Sequence, residues 1–171
     1  ESIALSNAAG SANISAGIFV APPFLGNGWH NLLQSGETGH AFGANVLKVF
    51  LDDVDVTAHF TDSVDAPFNM AFNGLSAWFG TDFDGGDALT DVDIADVWVA
   101  PNVSLISGGT ISETDRRKFI SASGKPVNPS GFPASAVLFS GDATGFATNQ
   151  GAGGVFTLTG TLTNASTSPS D

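Results

Sequence analysis

Short runs of alternating apolar and polar residues dominate the chain. In Leu47-Lys48-Val49-Phe50-Leu51 the odd positions are aliphatic and Lys48 faces the other way. From Val54 to Phe60 the alternation is clean: Val54, Val56, Ala58 and Phe60 share one face, Asp55, Thr57 and His59 the other. Phe68, Met70 and Phe72 repeat the pattern, and near the end Phe156, Leu158 and Leu162 alternate with Thr157, Thr159, Thr161 and Thr163. Successive strand side chains point to opposite faces, so each run predicts a half-buried strand. Gly160 falls on the inward row of the last run, where a glycine marks a bulge or a close backbone approach.

Other runs are apolar on both parities and predict buried strands: Ala16 to Val20, Ser76 to Gly80, Val97 to Ala100 and Ala136 to Phe139. Gly, Asn, Asp and Ser punctuate these runs at a spacing of roughly 8–12 residues, which is the rhythm of an all-β sandwich or barrel. One segment breaks the rhythm. Ser112 to Asp115 spells a Ser-x-x-Asp capping box, acids occupy the first turn and bases follow, as the helix dipole prefers. Gly124 and Pro126 end it, so one short helix is expected near residues 112–122, with Phe119 and Ile120 packing down. The Gly-rich stretch from Gly141 to Gly154 reads as a long loop. There is no internal repeat. The expected organisation is one domain over residues 1–162 and a small, polar C-terminal tail over 163–171.

Composition narrows the function. The 171 residues carry 5 basic and 17 acidic side chains, a net charge of −12, which argues against nucleic acid as a partner. No apolar run is long enough for a membrane-spanning helix. There is no Cys, which excludes disulfides, thiolate metal sites and cysteine nucleophiles. The charge is segregated: eleven acids lie between Asp52 and Asp96, and four of the five bases between Arg116 and Lys125. Two solvated faces, or complementary patches within or between subunits, both fit this segregation. Met70 is the only Met, and Glu1 at the start suggests a processed or truncated end.

Candidate chemistry is sparse. Asp91, Asp93 and Asp96 have the spacing of the Glu-x-Asp-x-x-Glu strand of laminarinase-type glucanases, whose outer carboxylates work as nucleophile and acid/base. All three are Asp here, and along a regular strand Asp91 and Asp96, five apart, face opposite sides. The trio therefore reads as an acidic entry to a buried strand, not as a catalytic pair. Asp82, Asp84 and Asp87, with Asp91 and Asp93 nearby, form the candidate Ca²⁺ site, since a hard cation wants several oxygens. The run fails the EF-hand template, with Gly86 at position 5 and Asp93 where a Glu is required. No cofactor is otherwise expected. His30, His40 and His59 show no helical ligand spacing, and no Gly-x-Ser-x-Gly elbow is present. Gly151 to Gly154 lacks the Lys-Ser/Thr ending of a phosphate loop.

The run Ile94-Ala95-Asp96-Val97-Trp98-Val99-Ala100-Pro101 resembles a late core strand of laminin-G/concanavalin A-like domains in tailed-bacteriophage virion structural proteins. Arg116 to Ile120, Gly124 to Val127, Val137 to Asp142, Asn149 to Gly160 and Ser168 to Asp171 extend the likeness. It is best over residues 93–171 and looser from about Gly28 to Gly80. The resemblance implies an antiparallel β-sandwich of jelly-roll type on a virion surface, as capsid decoration, head fibre or tail and host-attachment component. It implies capsid or tail proteins as partners, host or environmental glycans as ligands, and copies of the chain itself as neighbours in a homo-oligomer. It carries no catalytic residues, so the expectation is a protein without enzymatic activity. A secreted or cellular carbohydrate-binding module is the alternative, and a glucanase of the same fold a weaker one. Sugar sites favour exposed aromatic platforms, and here there are only Trp29, Trp78 and Trp98, with no Tyr, beside 14 Phe.

Overall fold

The computed structural model describes residues 3–6, 13–16, 28–37, 46–59, 93–101, 103–127, 129, 135, 137–158 and 160–169. Among them the structure is strands in antiparallel pairs with two very short helices, an all-β arrangement. The chain divides into two compact units, each assembled from separated segments: residues 1–71, 102–132 and 169–171 in the first, 72–101 and 133–168 in the second.

In the first unit, β1 (Ile3–Ser6) pairs with β2 (Asn13–Ala16). A three-stranded sheet follows: β3 (Leu32–Glu37), β4 (Val46–Leu51) and β5 (Val54–Asp55), in that order. The register sets Leu33 against Phe50 and Gln34 against Val49. Leu33, Val49 and Phe50 are all buried although Val49 and Phe50 point to opposite faces. The expected alternation around Lys48 therefore understates the burial. Val56 covers one side near Val49, whose N–H is bonded by Thr57 Oγ1 at 3.0 Å. Leu105, whose N–H donates to the buried Ser35 Oγ at 3.1 Å, ties in the following segment.

That segment holds the small hairpin of β7 (Ile106–Ser107) and β8 (Thr110–Ile111), and then α1 (Glu113–Arg116); β6 (Val97–Val99) precedes them in sequence and belongs to the second unit. Gly108 and Gly109 turn the hairpin at φ +61 and +82, a conformation open to glycine at little cost. Ile111 is fully buried, and Phe119 and Ile120 are buried as well. Ser112 caps the helix as expected: its Oγ accepts the Asp115 N–H at 3.1 Å, and it donates to Asp115 Oδ2 at 2.7 Å, so the carboxylate takes the Ser112 hydroxyl where a full capping box would take its N–H. The helix is shorter than the expected 112–122. It gives way to turns by Arg117, and Ile120 bridges back to Pro126, with the Val127 N–H on the Phe119 carbonyl. Backbone pairing across the Gly124 turn (φ +81) replaces the later part of the helix that the capping motif and charge order favoured.

The run from Val54 to Phe60 also departs from expectation. Only Val54 and Asp55 are strand, and Thr57–His59 close into a 3-10 turn. Asp55 Oδ1 takes the Thr57 N–H at 2.9 Å, a local side-chain bond that competes with a strand ladder.

In the second unit, β6 pairs with β9 (Val137–Phe139), with Trp98 opposite Leu138; both runs were expected as buried strands, and β6 is only half-buried. The expected loop after Gly141 contains α2 (Ala143–Phe146), capped by Asp142 through the Gly145 N–H at 2.8 Å. Phe139 is buried between Phe146 (centroids 5.5 Å) and Phe156 (5.2 Å, edge to face). The run from Phe156 to Thr163 is not strand at the residues described, and Gly160 stands at φ +91. The predicted strands over 68–73 and 76–80 lie outside the described residues.

Candidate functional site

Among the described residues, the densest group of charged side chains lies in the first unit, where the β4–β5 turn meets α1. Two residues, Asp52 and Asp53, connect Leu51 to its partner Val54, and both have positive φ (+49 and +69). A two-residue hairpin of type I′ demands this conformation at both positions, and Asp tolerates it better than most residues. The turn thereby presents two carboxylates in opposite roles.

Asp52 fixes the start of β3. Its Oδ1 accepts the Asn31 N–H at 2.8 Å, its Oδ2 lies 2.7 Å from His30 Nδ1, and its own N–H donates to the Asn31 carbonyl at 2.9 Å. Asp53 grips α1. Its Oδ1 accepts Arg116 Nε at 2.6 Å and its Oδ2 accepts Arg117 Nη2 at 2.7 Å. Arg116 also donates from Nη1 to the Ile111 carbonyl at 2.7 Å, and its guanidinium lies 4.6 Å over the Phe50 ring. A planar cation suits both a carboxylate and an aromatic face. Arg117 reaches Glu113 as well, at 3.1 Å, and Lys118 pairs with Asp115 at 2.7 Å. Arg117 Nη1 is buried and makes no hydrogen bond.

The electrostatics follow from these contacts. Hydrogen bonds from Arg117 and then Arg116 hold the Asp53 carboxyl below its ordinary value of 3.8. Asp53 in turn holds Arg117 more firmly protonated. Lys118 and Ser112 lower Asp115 in the same way. At Asp55 burial raises the value, but the Thr57 hydroxyl and N–H and the Lys48 ammonium, 3.8 Å away, outweigh it and the net direction is down. Asp53, Asp55 and Asp115 are thus each held ionised by their partners. The arrangement joins a hairpin turn to a helix and stacks an arginine on the core.

The residues singled out from sequence fall elsewhere. Asp93 and Asp96 are exposed ahead of β6, and Asp91 lies outside the described residues, as do Asp82, Asp84 and Asp87. No group of three acids or histidines fit to hold a metal occurs among the described residues. His30 joins Asp52, while His59 ends the 3-10 turn and His40 lies outside the description. Trp29 and Trp98 are half-buried, and Trp78 lies outside it. Sequence reasoning noted the acid and base segments but did not single out Asp53. The signal was available: Asp-Asp between two alternating runs is a two-residue hairpin turn.

A second polar group organises the other unit. Asn149 Oδ1 accepts the N–H groups of Leu138 (2.9 Å) and Gly151 (3.0 Å), and its Nδ2 donates to the Gly154 carbonyl (2.8 Å). The Gln150 N–H donates to the Leu138 carbonyl at 2.8 Å and its side chain to the Ser140 carbonyl at 2.8 Å. Asn149 and Gln150 thus dress the strand β9 as a further strand would.

Compared with family models, curated proteins and solved structures, the chain matches none. No helix among the described residues is long and apolar enough to cross a membrane.

Proposed function

We propose that the chain is a non-enzymatic virion surface protein of a tailed bacteriophage, built as a concanavalin A-like jelly roll and displayed as capsid decoration, head fibre or tail component. The observation that carries this reading is the use made of Arg116 and Arg117. These lie in the segment that resembles the phage family, and both are spent on Asp53, Ile111 and Glu113 within the fold. A basic motif closed on its own unit is architectural, which suits a display scaffold better than a substrate site. The low density of charge, 13% of residues, and the Ser, Thr, Asn and Gly that replace it support the same reading. Glycan contact belongs to this proposal as a property of the displayed surface. The half-buried Trp29 and Trp98 favour polar side chains and backbone over an aromatic platform as its means.

The test is location. Phage particles purified by density gradient from the source sample are digested and examined by mass spectrometry, and labelled with antibody to the chain. Peptides that band with intact particles, and gold on the particle exterior, are expected. A chain found only in the cell fraction, or enclosed within heads, overturns the proposal.

A further inference from the structure

The segment from Val155 to Leu162 conflicts with its surroundings in an informative way. Its sequence alternates Phe156, Leu158 and Leu162 with threonines, carries no charge and contains no Pro. Such a segment has the composition of a strand that pairs readily with another. Yet the described residues here form no strand, and the apolar side chains stay out in solvent: Val155 is 97% exposed, Leu158 47% and Leu162 39%. Nor is the segment a loose end. Asn149 Nδ2 holds the Gly154 carbonyl before it, and Asn164 Oδ1 accepts the Ala143 N–H at 2.8 Å after it. Phe156 is set on the Phe139 ring. A β-competent stretch is thus anchored at both ends and exposed in between.

We propose that Val155–Leu162 is an interaction strand whose occupant is the same segment of a second copy of this chain, added antiparallel about a two-fold axis. The period of two supplies the argument for self-pairing. In an antiparallel pair centred on position 159, Phe156 of one copy faces Leu162 of the other, Leu158 faces Gly160, and Thr157 faces Thr161. From Phe156 to Leu162 the apolar row of one copy meets that of the other and threonines meet threonines, while Val155 lies on the threonine row opposite Thr163; a two-fold interface requires this self-complementarity. The chain is uncharged from Ala143 to Ser170, so pairing opposes no like charges within the strand. Gly160 at φ +91 must move to an extended conformation, which glycine reaches at low cost. The inference stands apart from the virion reading, because it is tested on the purified chain.

The absence of Cys makes the register measurable. Thr157→Cys and Thr161→Cys chains, distinguished by isotope label, are mixed and mildly oxidised. The mixed disulfide should form about tenfold faster than either homodimer, and faster than disulfides of a chain carrying Ala122→Cys in an exposed turn. Leu158→Asp introduced into both partners should abolish the excess while leaving the far-ultraviolet circular dichroism unchanged. Statistical proportions of the three disulfides at the rate of the Ala122→Cys control overturn the proposal. So does a mixed disulfide that survives Leu158→Asp.

Discussion

Asp53 occupies a backbone conformation that few side chains tolerate, and from there bonds Arg116 at the end of α1 and Arg117 just after it. Asp53→Asn keeps the shape but removes the charge, and should lower stability by about 1 kcal/mol once solvent screening of part-exposed ion pairs is allowed for. The pH dependence has a definite sign. The folded-state pKa lies below the ordinary 3.8, so the unfolded chain binds the proton more readily as pH falls. The contribution is complete above the unfolded value and disappears as pH drops through the folded one. Asp55 and Asp115 are lowered too and act in the same window. Urea titrations at about pH 7 and about pH 3 should therefore show wild type and Asp53→Asn converging at the acid end. A gap that stays constant contradicts the assignment of the effect to the Asp53 charge.

Elements in this protein are short, and single polar side chains decide where they stop. Asn149 serves three backbone groups around β9, so Asn149→Ala should cost about 2 kcal/mol. Hydrogen exchange should locate that loss: the Leu138 and Gly151 amides lose protection while Val49 and Ile120 in the other unit keep theirs. Equal loss in both units would contradict a local role. The same competition explains which elements were legible in the sequence. Leu47–Leu51, Val97–Val99 and Val137–Phe139 combine apolar patterning with β-branched or aromatic residues, and all three are strands. Val54–Phe60 has equally good alternation, but Asp55 and Thr57 offer the backbone local bonds and turn it after two residues. Asp142, three residues before Gly145, caps a helix that Gly-rich composition concealed. The helix cap at Ser112 was readable because it is local, whereas the Asp53 clamp joins residues 63 and 64 apart, beyond any local pattern.

Across the whole molecule, the net charge of −12 sets the terms on which two copies approach. Unit charges 10 Å apart in water repel by about 0.4 kcal/mol, and the contributions of many such pairs accumulate. The Debye length is about 30 Å at 0.01 M salt and about 8 Å at 0.15 M, so at low salt the repulsion between copies is largely unscreened. The proposed interaction strand contains no charge, and apolar burial with backbone pairing gains nothing from low ionic strength. Association through Val155–Leu162 should therefore strengthen as salt rises, the opposite of an interface held by the basic segment around Arg116 meeting the acidic stretch of a neighbour. The rate of the mixed Thr157→Cys and Thr161→Cys disulfide should rise between these two salt concentrations, and divided by that of the Ala122→Cys control, which removes the general effect of screening on encounter, it should not fall. A normalised rate that falls with salt would place the contact on ion pairs instead, because screening weakens a contact held by attraction between opposite charges.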